Sequence, residues 1–98
     1  MKRLFAVIRS RGPAWDHSRA LDDQVDWAAH AAFMNRLVQE KFVALGGPLE
    51  GTPDVLLIVR ADDPAEIAER LAADPWTRNE LLVVTQTHPW WLRLGALA

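Results

Sequence analysis

Four short apolar runs punctuate the chain, and two stretches of helical periodicity lie between them. Leu4 to Ile8 is the first run. It carries β-branched members and is bounded by Arg9-Ser10-Arg11-Gly12-Pro13, which predicts a strand ending in a turn. A long connection follows, from about Ser10 to Asp22, with Gly12, Pro13, Trp15 and His17 in it. Loops of that length in compact domains tend to be functional or mobile. From about Asp23 to Lys41 the spacing turns helical: Trp27, Phe33, Met34 and Leu37 share one stripe, and Asp22 or Asp23 supplies a cap.

Phe42-Val43-Ala44-Leu45 predicts a second strand, stopped by Gly46-Gly47-Pro48, and Val55 to Val59 a third, entered after Gly51-Thr52-Pro53-Asp54. The second helix has the clearest start in the chain. Asp63 is a good N-cap, Pro64 fits the first helical position, and Glu66 completes a capping-box-like arrangement. Ile67 and Leu71, four residues apart, form its apolar contact, and Asp74-Pro75 ends it, since a residue before proline is pushed out of helical geometry. Leu81 to Thr85 predicts the fourth strand, and Pro89-Trp90-Trp91 begins the tail. The order is βαββαβ, an α+β domain. Its strands read as continuously apolar, the pattern of a sheet covered on both faces. Two helices cover one face, so a second copy of the chain is the natural cover for the other, and a homodimer is expected.

Composition narrows this further. The 98 residues fit one domain, 1–98, whose single core is marginal at that size. No cysteine is present to reinforce it, and self-association is the remaining common route to extra burial. A formal net charge of -2 gives no electrostatic case for nucleic acid or a membrane surface. The N-terminal apolar run is interrupted at Arg9 and Arg11, unlike a signal peptide, and no stretch approaches a membrane span, so the cytoplasm is the expected compartment.

His30 is the most informative position for chemistry. On an ideal helix, Asp26 and Met34 lie one turn to either side of it and Trp27, Phe33 and Leu37 lie nearby, so the imidazole sits in the apolar stripe. It reads either as a buried histidine satisfied for structural reasons, or as a general acid–base with its tautomer fixed by a carboxylate. Asp74, in Asp74-Pro75-Trp76-Thr77, reads equally as the cap of a short turn. Asp26 is a local alternative partner for His30. His17 and His88 share no metal-binding spacing with His30, so no metal is expected. Gly46-Gly47-Pro48 lacks the spacing of a phosphate loop, and neither serine lies in a nucleophile elbow, so no cofactor is expected either. Five tryptophans are many for this length. Trp15, Trp76, Trp90 and Trp91 fall in loops or at element ends, as pocket wall or dimer interface.

Taken in order, His30 within Trp27-Ala28-Ala29-His30-Ala31-Ala32-Phe33, then Gly46-Gly47-Pro48-Leu49, then Asp74-Pro75-Trp76 and a close at Pro89-Trp90 resemble the YCII-related (YciI-like) family over essentially the whole chain. The resemblance implies a ferredoxin-like antiparallel sheet in a dimeric α/β barrel, with His30 and Asp74 approaching each other in the active site. Proton transfer on a small organic molecule, with cyclic and aromatic compounds as the candidates, is the expected activity. Asp74 would orient His30, Arg9 or Arg11 would anchor an anionic group, and Trp15 and Trp76 would stack on a ring. The alternative is a non-catalytic domain that binds a small molecule or serves dimeric assembly.

Overall fold

A computed structural model describes residues 1–97 of the chain. The first apolar run extends into the strand β1 (Arg3–Arg11), in which Phe5, Val7 and Arg9 alternate with Leu4, Ala6, Ile8 and Ser10 across the pleat. A single 3₁₀ turn at Leu21–Asp23 then precedes the helix α1 (Trp27–Gln39). β2 (Val43–Pro48), β3 (Asp54–Ala61), α2 (Pro64–Leu71), the one-turn helix α3 (Pro75–Arg78) and β4 (Leu82–Pro89) follow. The strands form one antiparallel sheet in the order β2-β3-β1-β4. This is the expected βαββαβ arrangement with one short helix added before the last strand.

Several expectations are corrected: α2 ends at Leu71, and Asp74-Pro75 opens α3 instead of closing α2. α1 begins at Trp27, and neither Asp22 nor Asp23 caps it. Gln24 ends the 3₁₀ turn, and Asp26 turns the chain with a left-handed backbone (φ 60°) into α1. Gly46, Gly47 and Pro48 continue β2 rather than stopping it, because β2 lies at the sheet edge, where a proline without an N–H is tolerated. β4 runs on to Pro89, several residues past Thr85. The α2 start is as read: Asp63 accepts a bond from the Glu66 N–H at 2.9 Å, and Glu66 Oε1 accepts from the Asp62 N–H at 2.7 Å.

The core lies between the helices and one face of the sheet. Phe5 and Val7 of β1 and Leu57, Val59 and Ala61 of β3 pack there against Leu37, Ile67 and Leu71 of the helices. The opposite face turns Leu4, Ala6, Ile8 and Leu56 away from the helices, partly exposed, with Leu45 half exposed at the β2 edge. β1 therefore alternates, whereas β3 keeps Leu57, Ile58 and Val59 buried in succession, so the face away from the helices is partly covered within one chain.

A bulge in β2 shapes what lies under the sheet edge. Val43 pairs with Val59 and Leu45 with Ile58, so Ala44 is an extra residue in the ladder. The shift turns Leu45 outward and sets Gly46 opposite Leu57 on the helix side. A Cβ on Gly46 would stand 2.6 Å from Leu57 Cδ2 and 2.9 Å from the Leu56 carbonyl, so the close approach requires glycine.

Candidate functional site

The polar end of the sheet is built around Asp74. Asp74 has extended backbone, and its Oδ1 accepts from the Trp76 N–H at 2.9 Å, capping α3 with Pro75 at the first helical position. The same carboxylate faces the Nδ1 of His30, 2.9 Å from both oxygens, and accepts from Arg9 Nη1 at 2.8 Å. Capping and pairing with histidine are thus both true of one side chain. Asp74 is fully buried and Arg9 nearly so (0% and 1% exposed), which makes this an ion pair removed from solvent. Arg9 Nη2 donates to Thr77 Oγ1 at 2.8 Å, and the Thr77 hydroxyl in turn donates to the Leu71 carbonyl at 2.8 Å. Burial pushes the Asp74 carboxyl upward, but the bonds from His30, Arg9 and the Trp76 N–H outweigh it and hold it below the ordinary carboxylate range.

An ionised carboxylate only accepts, so His30 carries its proton on Nδ1. Nε2, at the far edge of the ring, is the nitrogen left for a ligand. The ring lies flat on the Trp76 indole, with centroids 3.8 Å apart and planes within 6°. Trp27 closes from the side, 5.9 Å from His30 and 5.7 Å from Trp76 between centroids. The Trp76 indole N–H donates to the Val25 carbonyl at 2.7 Å, which fixes that ring. Two side-chain contacts and a stack therefore determine the plane and the tautomer of the imidazole.

His30 and Trp76 line a cavity of about 230 Å³ between α1, β2, β3 and the start of β4. Trp27, Met34, Val38, Val55 and Leu57 form much of its wall, and the backbone of Gly46 and Gly47 closes the β2 side. A dry cavity of roughly 150 Å³ suffices for benzene, so this one suits a small ring with a few substituents.

The other expected residues lie elsewhere. Arg9 is turned inward and holds Asp74 and Thr77, so its guanidinium is not available to anchor an anionic ligand. Arg11 is exposed, with its guanidinium 4.8 Å from the Trp15 ring centre, and the two flank a separate small crevice with Asp54. Trp15 is buried edge-on against Trp76 at 5.6 Å, behind the ring that meets the cavity. The Asp26 carboxylate accepts from Asn79 Nδ2 rather than from the His30 ring. Trp90 and Trp91 are exposed on the tail. The long loop is pinned by buried Gln24, which bonds the backbone of Asp16 through both ends of its amide and also bonds the Arg19 carbonyl. Met34 and Thr77 were not foreseen as site residues. Met34 is one turn from His30, a spacing that could have found it; Thr77 carries no such signal.

Among the described residues, no group of three or more His, Asp or Glu side chains converges to hold a metal, and no helix is long and apolar enough to cross a membrane. No protein-family model matches the chain, and no curated protein does. One solved structure that it resembles is 5-chloro-2-hydroxyhydroquinone dehydrochlorinase (TftG) from Burkholderia phenoliruptrix AC1100, in complex with 2,5-dihydroxybenzoquinone. The similarity has a TM-score of 0.67 at 26% identity and covers 90% of this chain and 93% of that one. The chain thus shares the dimeric α+β barrel type of fold with a small enzyme that acts on a substituted hydroquinone.

Proposed function

We propose that this chain is a cofactor-independent acid–base enzyme acting on a small ring compound of phenolic or hydroquinone type. The observation that carries this reading is the Nδ1 bond from His30 to a buried, ionised Asp74 at the wall of a ring-sized cavity. In that arrangement Nε2 takes a proton from a ligand hydroxyl or an acidified ring C–H, and Asp74 stabilises the imidazolium formed. Trp76 keeps the ring in plane during the transfer. The similarity to a dehydrochlorinase bound to a benzoquinone supports the substrate class.

The reading is tested with chlorinated and unchlorinated hydroxyhydroquinones, followed by chloride release and by ring absorbance. His30→Gln is expected to lower the rate by about 100-fold or more while the chain stays folded. Turnover unchanged in His30→Gln would remove His30 from the chemistry. Binding without turnover by wild type across such compounds would instead favour the non-catalytic small-molecule domain.

We also propose that the chain works as a single-domain homodimer in the cytoplasm. The partly exposed Leu4, Ala6, Ile8 and Leu56 on the sheet face away from the helices support the dimer. Sedimentation of wild type and Ile8→Lys tests it: a dimer that becomes a monomer is the expected result, and a wild-type monomer at micromolar concentration would refute it.

A further inference from the structure

The cavity contains a consequence of the way Arg9 is held. Its lining includes no lysine, arginine, aspartate or glutamate. The polar side chains that reach it are His30 and Asn35, and the rest of the wall is largely aliphatic or aromatic. Arg9, a permanent cation, lies behind the wall, 1% exposed and outside the lining. Met34 stands between the two: it lines the cavity, and its sulfur is 4.0 Å from Arg9 Nη1. Arg9 Nε, also buried, has no hydrogen-bond partner.

A carboxylate entering this space would lose its hydration without gaining a countercharge, which is strongly unfavourable in an apolar wall. With its proton on Nδ1 against Asp74, His30 presents an unprotonated Nε2, which accepts from a ligand hydroxyl but offers a carboxylate no donor. Asp74 itself is paired with Arg9, and Asp26, on the turn entering α1, is bound to Asn79. Uncharged rings meet no such barrier, and the indole of Trp27 and the thioether of Met34 offer them polarisable surface.

We propose that the cavity selects uncharged ring ligands against their carboxylates, and that Met34 sets this selection by screening the Arg9 guanidinium. The inference rests on the cavity being a ring site, and it names the charge class that site accepts. Shortening Met34 removes the side chain that stands between the cavity and the Arg9 guanidinium. The selection then weakens or reverses without any new charge being added.

Two near-isosteric probes isolate the charge: 2,5-dihydroxybenzamide and 2,5-dihydroxybenzoate, titrated by calorimetry at pH 8. Wild type is expected to bind the amide at least tenfold tighter than the carboxylate. Met34→Ala should cut that ratio at least tenfold, chiefly by tightening the carboxylate, whereas Met34→Leu, which keeps the bulk, should preserve it. If Met34→Ala does not fold, Met34→Val, with its shorter reach, is expected to move the ratio in the same direction. A wild-type ratio near one, or a ratio unaltered by both shortened variants, would overturn the proposal while leaving ring binding intact. Failure of wild type to bind either probe at millimolar concentration would overturn the ring site itself, and the selection with it.

Discussion

Phe5, Val7 and Arg9 project from the same side of the same strand, yet they enter two different environments. Phe5 and Val7 meet Leu37, Ile67 and Leu71 in a region of apolar contact. Two residues further on, Arg9 is as deeply buried as Phe5, but it is surrounded by Asp74 and Thr77 with the sulfur of Met34 nearby. Burial alone therefore does not separate the two ends. The apolar end gains stability roughly in proportion to area and tolerates some repacking. The polar end holds only while each charge keeps its partner, because a buried charge left alone costs far more than a missing methyl group.

Removing the centre of the polar end should have the largest effect. Asp74→Ala leaves Arg9 uncompensated, which costs about 3–5 kcal/mol, and removes the α3 cap, worth about 1 kcal/mol more. Urea unfolding should show the loss. A change below about 1 kcal/mol would mean that Arg9 finds another partner. The matching cut at the apolar end, Ile67→Ala, should cost about 2–5 kcal/mol for the lost contacts and residual cavity. Its folded fraction should still bind a ring ligand with wild-type affinity, since Ile67 lies outside the cavity lining. Altered affinity there would show that the two ends are coupled.

A smaller effect distinguishes them by pH. The Asp74 carboxyl is held below its ordinary value in the folded chain, so the folded state binds fewer protons than the unfolded one in that range. The stabilisation is fully present above the unfolded carboxylate value of about 3.9 and is lost as pH falls through the lower folded value. Acid titration of stability should therefore show a shallower slope in Asp74→Asn than in wild type, and an unchanged slope in Ile67→Ala. Equal slopes in all three would assign acid sensitivity to other carboxylates.

Much of this was legible in the sequence, for identifiable reasons. The α2 start was plain because capping is local: Asp63, Pro64 and Glu66 lie within four residues. The two ends of the His30–Asp74 contact came from a resemblance, since 44 residues separate them and no periodicity joins them. Arg9 shows what was available and not used. Its place two residues after Val7 sets it on the inward face of β1, where a free anion anchor could not be. The late start of α1 and the β2 bulge were not legible. The first depends on a left-handed Asp26 tied to Asn79 across the fold, and the second on the pairing of Val43 with Val59.

The triple acceptance by Asp74 also limits how such a sequence can drift over generations. A single step that removes Asp74 strands Arg9, and one that removes Arg9 strips the buried Asp74 of its permanent countercharge, whereas replacing the pair together by apolar residues of similar volume is often neutral or stabilising. Descendants are therefore expected to keep both residues or to lose both. Those that lose both would retain a stable sheet and helices around a His30 with no carboxylate to hold its tautomer. Such lineages would inherit the architecture as a binding domain after the chemistry had gone.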